Sequence, residues 1–310
     1  MEHKKISFYN YLLPKNWIIS IVLLKARLIS LLPFNWILKL GHILGMLLYC
    51  IPSKRSMVAM KNIELCFPEL SAFEQKKLLK KHFSSLGIGF LEVAMVRWKP
   101  NKVLKKLITI NGLDHLRNAI KKDKGVILMS AHFTSLEVSA LIGREEIASD
   151  LPPMVGMYRL GNNPVINQFF REARLRSVES LVTKFEVKSL IQALKEKKII
   201  WYASDQNFSG KNAIELDFFN QKAMTNSAIT RFIEITGCSV LPFFPARLPN
   251  HQGYSLNIYP EIEYTDHQTP REYLIQFYCV LEEHIKKNPE QYYWIHRRFK
   301  SNFENKNPYL

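Results

Sequence analysis

The sequence predicts an α/β fold: a mixed, partly parallel sheet flanked by helices, with an apolar helical membrane anchor at the N-terminus. The first observation is that short apolar runs alternate with helical stretches beyond residue 60, a pattern typical of α/β domains. The second is a long apolar stretch before that point. We therefore assign residues 1–60 to a membrane-associating segment and residues 61–310 to the α/β domain.

The N-terminal stretch is about as apolar as a membrane segment, but Lys25, Arg27, Lys39 and His42 interrupt it. No uncharged run reaches the roughly 20 residues that a spanning helix needs. A helix lying in the interface and a short span with snorkelling charges both fit this pattern, and a buried helical hairpin of a soluble protein is the alternative. No small-residue cleavage site follows, so we do not expect a cleavable signal peptide. We predict attachment to the cytoplasmic face of a membrane.

The elements of the α/β domain follow from local signals. Ser71 is a predicted N-cap, and Glu74 follows three residues later as in a capping box. A helix is expected at 113–122, and further helical stretches are expected near 164–177, 186–197 and 225–236. The predicted strands are KLITI, GVILM, PPMVGM, KKIIWYAS and CSVLPFF.

The charge of the chain is lopsided, with 43 Lys and Arg residues against 27 Asp and Glu residues. An excess of this size indicates an anionic partner, either nucleic acid, a membrane surface, or an acidic protein or ligand. The sequence shows no helix-turn-helix, zinc-finger or ribonucleoprotein signature, and much of the basic charge flanks apolar segments. The four cysteines have no paired spacing, which argues against a zinc site or a disulfide framework and favours a reducing, cytoplasmic setting.

The stretch SAHFTSLE places an imidazole and a carboxylate just after the strand GVILM. His132 ends the strand region, where sites gather in α/β sheets, and Thr134 or Ser135 can cap a helix. Glu137 then falls in the first helical turn and can reach back to His132. A carboxylate on one ring nitrogen leaves the other free to accept a proton. We predict His132 as a general base and Glu137 as its orienting carboxylate; a structural histidine beside a surface glutamate is the alternative.

Further candidates follow the next apolar runs. Asn163 before Pro164 is typical of an N-cap with proline at the first helical position, and such a helix end can bind a phosphate or an oxyanion. Arg159 offers a planar fork for a phosphate or carboxylate. Arg171 and Arg174 share one helical face, and all three arginines could equally be surface charges.

Two more groups of candidates lie further along the chain. Asp205 ends the run KKIIWYAS, where it could position His132, hold Arg159 or contact substrate, or simply form a turn. Arg297 and Arg298 lie among aromatic residues in PEQYYWIHRRFK, which suits a glycolipid-phosphate rim, a membrane interface or a solvated basic tail. Phe218 and Phe219 are expected to fill the core rather than an acyl channel.

These residues together resemble one family, the late acyltransferases of lipid A biosynthesis, which are lauroyl and myristoyl transferases of Gram-negative bacteria. The His-x4-Glu pair is similar to the His-x4-Asp/Glu motif of glycerolipid acyltransferases more widely. The resemblance covers nearly the whole chain and rests on four blocks in the expected order: SAHFTSLE, MYRLGNNPVINQFFREARLR, SDQNFSGKNAIELDFFNQKAMTNSA and PEQYYWIHRRFK. The chain departs from the family pattern at Asn220, where many members have glycine, and the segment MTNSAITRF also lacks a glycine.

The resemblance implies transfer of a fatty acyl group from acyl carrier protein to a hydroxyl of a lipid A precursor at the bacterial inner membrane. It implies His132 and Glu137 as catalytic residues and Arg159 as a ligand of the acceptor phosphate. It also makes Asn163, Arg171, Arg174, Asp205, Arg297 and Arg298 candidates for substrate binding. No metal or redox cofactor is expected, because a thioester is already activated. Acylation of glycerol phosphate, lysophosphatidate or another glycolipid is the alternative.

Overall fold

A seven-stranded sheet forms the centre of the computed structural model, in the order β1-β9-β8-β2-β5-β3-β4. The structure describes residues 9–145, 147–159, 161–183, 185–265, 267–301 and 307–309. The strands are β1 Ile108–Asn111, β2 Val126–Ser130, β3 Met154–Tyr158, β4 Ser180–Thr183, β5 Ile199–Ala203, β6 Ala213–Phe218, β7 Gln221–Asn226, β8 Ser239–Arg247 and β9 Tyr254–Ile258. Neighbouring strands of the large sheet run parallel except for β8 and β9, which are antiparallel, so the predicted mixed, partly parallel sheet is confirmed.

Helices cover both faces of this sheet, and six helices precede its first strand in the described part of the chain. They are α1 Tyr9–Leu12, α2 Trp17–Ile29, α3 Phe34–Cys50, α4 Lys54–Cys66, α5 Ala72–Trp98, α6 Asn101–Lys105, α7 Leu113–Lys121, α8 Leu136–Ser139, α9 Pro164–Arg174, α10 Val187–Lys195, α11 Ala228–Thr236 and α12 Pro270–Lys287. Single 3-10 turns occur at Pro14–Asn16, Ala140–Gly143, Pro249–His251 and Pro289–Gln291. The predicted domain boundary after residue 60 falls inside α4.

The central strand β2 is buried on both faces of the sheet. All five residues of β2 are buried, as expected for a strand of a parallel sheet with helices on either side. Ile127 and Met129 belong to one hydrophobic cluster, and Val126 and Leu128 belong to another. Because successive side chains of a strand point to opposite faces, these two clusters are the cores above and below the sheet.

Most of the predicted elements are present at the expected places. The five predicted strands correspond to β1, β2, β3, β5 and β8, and the predicted helices correspond to α5, α7, α9, α10 and α11. The capping box is confirmed, since Ser71 accepts a hydrogen bond from the backbone of Glu74 and the Glu74 carboxylate accepts one from the backbone of Ser71. The sequence analysis missed β4, β9, α12 and the two-stranded β6–β7 hairpin.

The turn of the β6–β7 hairpin explains the departure from glycine at Asn220. Phe219 and Asn220 have positive φ angles of 49° and 57°, and two-residue hairpin turns of the favoured kind need positive φ at both central positions. Asparagine is one of the few residues other than glycine that adopts this conformation readily. Asn220 therefore preserves the turn without glycine.

The N-terminal helices pack on the long helix α5. Gly87 of α5 lies against Gly41 and Gly45 of α3, and a Cβ on Gly87 would approach the Gly41 carbonyl oxygen to 2.2 Å. Glycines at the crossing let the two backbones meet directly. Among the described residues, no single helix is long and apolar enough to cross a bilayer, but α3 and α4 pass that test together across a bend of 95°.

Candidate active site

The register of two adjacent parallel strands brings His132 and Asp205 together. In the β2–β5 pair, Ser130 lies directly opposite Ala203. His132 is two residues beyond the first and Asp205 two residues beyond the second, so both side chains leave the same carboxyl edge of the sheet. Sites of α/β folds form at this edge.

His132 and Asp205 are joined by two hydrogen bonds. His132 Nδ1 donates to Asp205 Oδ1 at 2.6 Å, and the backbone N–H of His132 donates to Oδ2 at 3.0 Å. The Tyr292 hydroxyl donates to the same Oδ2 at 2.9 Å. Both carboxylate oxygens are therefore occupied, and the imidazole is held in one orientation.

The Asp205 carboxylate stays ionised although its side chain is only 2% exposed. Burial by itself raises the pKa of this carboxyl, but the opposing charge of His132 and the hydrogen bonds from His132 and Tyr292 lower the pKa to about 2. An ionised carboxylate accepts the Nδ1 proton, so a neutral imidazole carries its lone pair on Nε2. The His132 side chain is 27% exposed, and Nε2 has no hydrogen-bond partner among the described residues, so it can accept a proton from a ligand.

The segment near the C-terminus holds the His132 loop in place. Tyr293 donates its backbone N–H to the carbonyl of His132 at 3.0 Å, and Thr134 donates to the carbonyl of Gln291 at 2.8 Å. His296 Nε2 accepts from the backbone of Asn207 at 3.1 Å, just beyond Asp205. This segment therefore joins the two loops that carry the histidine and the aspartate.

Glu137 lies elsewhere than the sequence analysis expected. It is in α8, as predicted, but its carboxylate is hydrogen-bonded to Arg174 of α9. Arg174 Nε lies 3.1 and 3.0 Å from the two Glu137 oxygens, and Nη2 contacts one of them as well. The expected geometry is corrected: Asp205, and not Glu137, is the carboxylate on His132. The reason is that β5 delivers Asp205 directly beside β2, whereas α8 turns Glu137 towards α9.

The other residues of the second block are near this edge but differ in their contacts. Asn163 is the N-cap of α9 as predicted, and its Oδ1 accepts from the backbones of Val165 and Ile166. Arg159 follows β3 and is exposed to solvent. Arg171 is half-buried close to Tyr158, whose pKa is raised by burial and lowered in part by this guanidinium. The roles of these three residues stay predictions.

Arg297 and Arg298 are adjacent in sequence but lie in different environments. Arg298 is 3% exposed, and it donates to the carbonyl of Met224, the Thr225 hydroxyl and the Tyr278 hydroxyl at 2.7, 2.6 and 3.2 Å. Its guanidinium joins β7 to α12, so the structure gives it contacts inside the protein rather than at a surface. Arg297 is half-buried beside an open cleft.

The apolar candidates behave as expected. Phe218 and Phe219 are buried in the main core, where both pack against aromatic residues of the C-terminal segment. A small pocket behind α8 holds about 30 Å³, room for a water molecule rather than a fatty chain. Its lining residues are Leu136, Glu137, Ala140, Gly156, Met157, Arg174, Val178, Leu181 and Trp201.

The sequence analysis missed Tyr292 and His296 as members of the site, although both stand in the C-terminal block. It also missed a buried ion pair between Arg247 at the end of β8 and Glu92 of α5, with nitrogen–oxygen distances of 2.7 and 2.9 Å. Arg247 also reaches the Ser85 hydroxyl, which is bonded to Thr134 in the His132 loop. The aromatic composition of PEQYYWIHRRFK was the one sequence signal for Tyr292 and His296. Local sequence carries no signal for the pairing of Arg247 with Glu92.

The chain matches one known family over nearly its whole length. A family model described as bacterial lipid A biosynthesis acyltransferase matches residues 4–301. The chain belongs to this family. It is therefore an acyltransferase of lipid A biosynthesis, and the resemblance stated from the four sequence blocks is confirmed.

Several named relatives align along most of the chain. A lipid A biosynthesis lauroyltransferase of Escherichia coli (strain K12) is 31% identical and covers 93% of each chain. A lipid A biosynthesis palmitoleoyltransferase of the same organism is 32% identical over 84% of each chain. Among solved structures, a 1-acyl-sn-glycerophosphate (LPA) acyltransferase from Thermotoga maritima is 13% identical with a TM-score of 0.37, covering 76% of this chain and 97% of its own.

Proposed function

We propose that this acyltransferase moves a fatty acyl chain from acyl carrier protein to a hydroxyl of a lipid A precursor, with His132 as the general base. The observation that carries the proposal is the His132–Asp205 pair, in which Nδ1 is engaged at 2.6 Å and Nε2 is left for the substrate. Asp205, supported by Tyr292, holds the ring and balances the charge of the imidazolium.

The proposed reaction proceeds in two steps. The acceptor hydroxyl gives its proton to His132 Nε2 as its oxygen attacks the thioester carbonyl, which forms a tetrahedral oxyanion. The oxyanion collapses, the carbon–sulfur bond breaks, and the imidazolium returns the proton to the departing thiolate. The ester is formed without net change in the enzyme, and this route requires no metal or redox cofactor.

The cationic groups at the same edge suit the charges of such a reaction. Positively charged groups and N–H donors stabilise a developing oxyanion, and Arg159 is an exposed guanidinium after β3 that can take this role or bind an acceptor phosphate. Glu137 is proposed to hold Arg174 and so fix α9 against α8. Asn163, whose Oδ1 is used in capping, can act on a ligand through the backbone of the helix end.

The N-terminal helices are proposed to lie at the membrane interface on the cytoplasmic side of the inner membrane. None of the residues of α2 is buried, and large apolar side chains are exposed along α2, α3 and their connections, namely Trp17, Ile18, Ile21, Val22, Leu24, Leu28, Leu31, Trp36, Ile43, Leu47 and Ile51. Exposed apolar patches of this extent are typical of membrane or partner contacts. The lipid acceptor would then reach the sheet edge from the bilayer.

Acyl transfer by the purified full chain in detergent micelles tests the proposal. Acyl carrier protein loaded with fatty chains of different length is the donor, and a lipid A precursor, lysophosphatidate and glycerol phosphate are the acceptors. We expect mass spectrometry to show one added acyl ester on the lipid A precursor alone, formed about 10²–10⁴-fold more slowly by His132→Ala. Equal transfer to lysophosphatidate, or full activity of folded His132→Ala, would overturn the proposal.

A further inference from the structure

A second cavity lies outside the His132 site, between α4 and the end of the chain. Its volume is about 650 Å³, within the roughly 300–1,000 Å³ range of small-molecule sites. The described lining residues are Lys54, Met57, Val58, Met60, Lys61, Glu64, Arg297, Pro308 and Tyr309. The cleft is therefore large enough for the head of a lipid or a molecule of similar size.

The lining carries more positive than negative charge. Lys54, Lys61 and Arg297 face it with Glu64 as the one acidic residue among the described lining. The Lys61–Glu64 pair is long, at 3.5 Å. The side chains of Lys54 and Arg297 make no hydrogen bond or ion pair with another described residue, so their charges are uncompensated within that part of the chain. An anion in the cleft would satisfy them.

The same lining is also apolar. Met57, Val58 and Met60 of α4 form one wall, and Tyr309 lies on the other side. Met57 is 71% exposed, which is a high exposure for a large apolar residue. A cleft that combines unpaired cations with flexible apolar side chains matches an amphiphile, which carries both kinds of surface.

The walls of the cleft are fixed to each other by Asn62. Its Nδ2 donates to the carbonyls of Trp294 and His296 at 2.6 and 2.7 Å, and its Oδ1 accepts from the Tyr309 hydroxyl at 2.5 Å. Ser53 caps the start of α4 through a hydrogen bond from the backbone of Ser56. Lys54 and Lys61 are therefore presented from an ordered helix, and the bonds of Asn62 hold the segment that carries Arg297 against it.

The C-terminal segment that contributes Arg297 to the cleft also contacts the reaction centre. Arg55, next to Lys54, donates to the carbonyl of Ile295 at 3.0 Å. His296 belongs to this segment: burial lowers its pKa to about 4, the charge of Asp205 opposes this in part, and the positive charges of His132 and Arg55 lower it further. The Tyr293 ring is 6.4 Å from the His132 ring. The same segment therefore borders both the cleft and the His132 loop.

We infer that this cleft binds a phosphate of the acceptor lipid, with Lys54, Lys61 and Arg297 as its ligands. The inference rests on the proposed function, since it places the anionic end of that acceptor relative to His132. A narrow cleft of this volume fits a lipid head, whereas a folded carrier protein would dock on a broader and flatter surface. Arg298, turned into the core, takes no part in this binding.

Steady-state kinetics of the full chain in detergent micelles test the inference. The test variant is Lys54→Gln with Arg297→Gln, and the matched control is Lys102→Gln with Lys188→Gln, two exposed lysines on α6 and α10. Charge-assisted hydrogen bonds contribute enough that we expect the KM for the phosphorylated acceptor to rise about tenfold or more in the test variant. The KM for the donor, kcat and the urea unfolding midpoint should stay close to wild type.

A phosphatase-treated acceptor provides the second arm. With it, wild type and the test variant should have the same KM, because the lost contact is to the phosphate. The charge-retaining variant Lys54→Arg with Arg297→Lys should recover most of the acceptor KM.

An unchanged acceptor KM in the test variant would overturn the inference. If the donor KM rose instead, the cleft would be a carrier-protein site. If binding to anionic phospholipid vesicles were lost while the acceptor KM stayed unchanged, the cleft would be a bilayer contact. If wild type itself transferred no acyl group to a lipid A precursor, the proposed function would fail instead.

Discussion

Two carboxylates near the same edge of the sheet are paired with side chains of different chemistry. Asp205 faces an imidazole that keeps one nitrogen available, whereas Glu137 faces the guanidinium of Arg174, which uses both of its oxygens. A guanidinium does not release a proton in proteins, but an imidazole exchanges one near neutral pH. The first pair can therefore take part in proton transfer, and the second pair neutralises charge and joins α8 to α9.

The comparison shows that spacing in the chain is a weaker guide than strand register. Glu137 is five positions from His132, yet the carboxylate that reaches the ring comes from the neighbouring parallel strand. The roles of the two carboxylates can be distinguished experimentally. Loss of Asp205 should affect proton transfer, and loss of Glu137 should affect stability.

The largest effect is expected for His132→Ala and Asp205→Asn. Each should lower kcat by about 10²–10⁴ with the fold retained, because the base is removed in one case and its orientation and counter-charge in the other. Single-turnover rates with pre-bound substrate, together with circular dichroism of each variant, provide the measurement. A folded Asp205→Asn protein with wild-type kcat would show that the pair is not catalytic.

Asp205 also predicts a pH dependence of stability. Its folded-state pKa of about 2 lies below the unfolded value of about 3.9, so its contribution is present above pH ~4 and is lost as pH falls towards 2. The stability difference between wild type and Asp205→Asn should therefore shrink over that window. Urea unfolding at pH 6, 4 and 2.5 measures it, and a difference that grew on acidification would contradict the assignment.

The next effect is expected for Glu137→Gln, which leaves a mostly buried Arg174 guanidinium without its partner. The unfolding free energy should fall by about 3 kcal/mol, since breaking a buried pair strands one charge. Changing both partners, Glu137→Gln with Arg174→Met, should recover part of this loss. The activity that remains in Glu137→Gln should keep the wild-type pH profile, and a shifted acid limb would instead place Glu137 in the proton-transfer step.

A smaller effect is expected for Tyr292→Phe. This change removes one hydrogen bond to Asp205 Oδ2, made at 2.9 Å, and leaves the ring packing in place. Hydrogen bonds to charged groups contribute roughly 1.5–3 kcal/mol, so kcat should fall by about tenfold while the KM values change little. An unchanged kcat would show that the two bonds from His132 hold the carboxylate without help.

The smallest effect on activity is expected for Ser71→Ala, which lies outside both regions. Loss of the N-cap of α5 should lower the unfolding free energy by about 1 kcal/mol and leave kcat unchanged. Thermal unfolding and the standard transfer assay measure the two quantities. This variant is a control that shows how much a lower unfolding free energy by itself changes kcat. A marked fall in its kcat would mean that a fall in kcat in Glu137→Gln could not be distinguished from an effect of stability.

The sequence predicted those parts of the fold that depend on local signals. Ser71 and Glu74 marked the start of α5, Asn163 and Pro164 marked the start of α9, and the apolar run ending at Met129 marked β2. Among the elements that were missed, β9 depends on pairing with the distant strand β1. The β6–β7 hairpin is local, but its turn at Phe219 and Asn220 lacks the glycine that marks such turns in a sequence.

The site was predictable in its residue types but not in its pairing. His132 and Asp205 were each placed at the end of an apolar strand, and Asp205 on His132 was one of several open alternatives. The strand order that makes β2 and β5 neighbours is a property of the whole sheet, so no local pattern could choose among them. The sequence also did not show that Arg298 is buried while the adjacent Arg297 is accessible, because this too depends on how the whole chain folds.

The direct opposition of Ser130 and Ala203 makes the reaction centre sensitive to very small displacements. Sliding β5 by one position would carry the Asp205 carboxylate about 3.3 Å along the strand and turn it to the opposite face, away from the imidazole. Loops elsewhere in the chain can change in length without this consequence. Natural variation in such enzymes should therefore tolerate insertions between the elements and exclude single-residue deletions within either of these two strands.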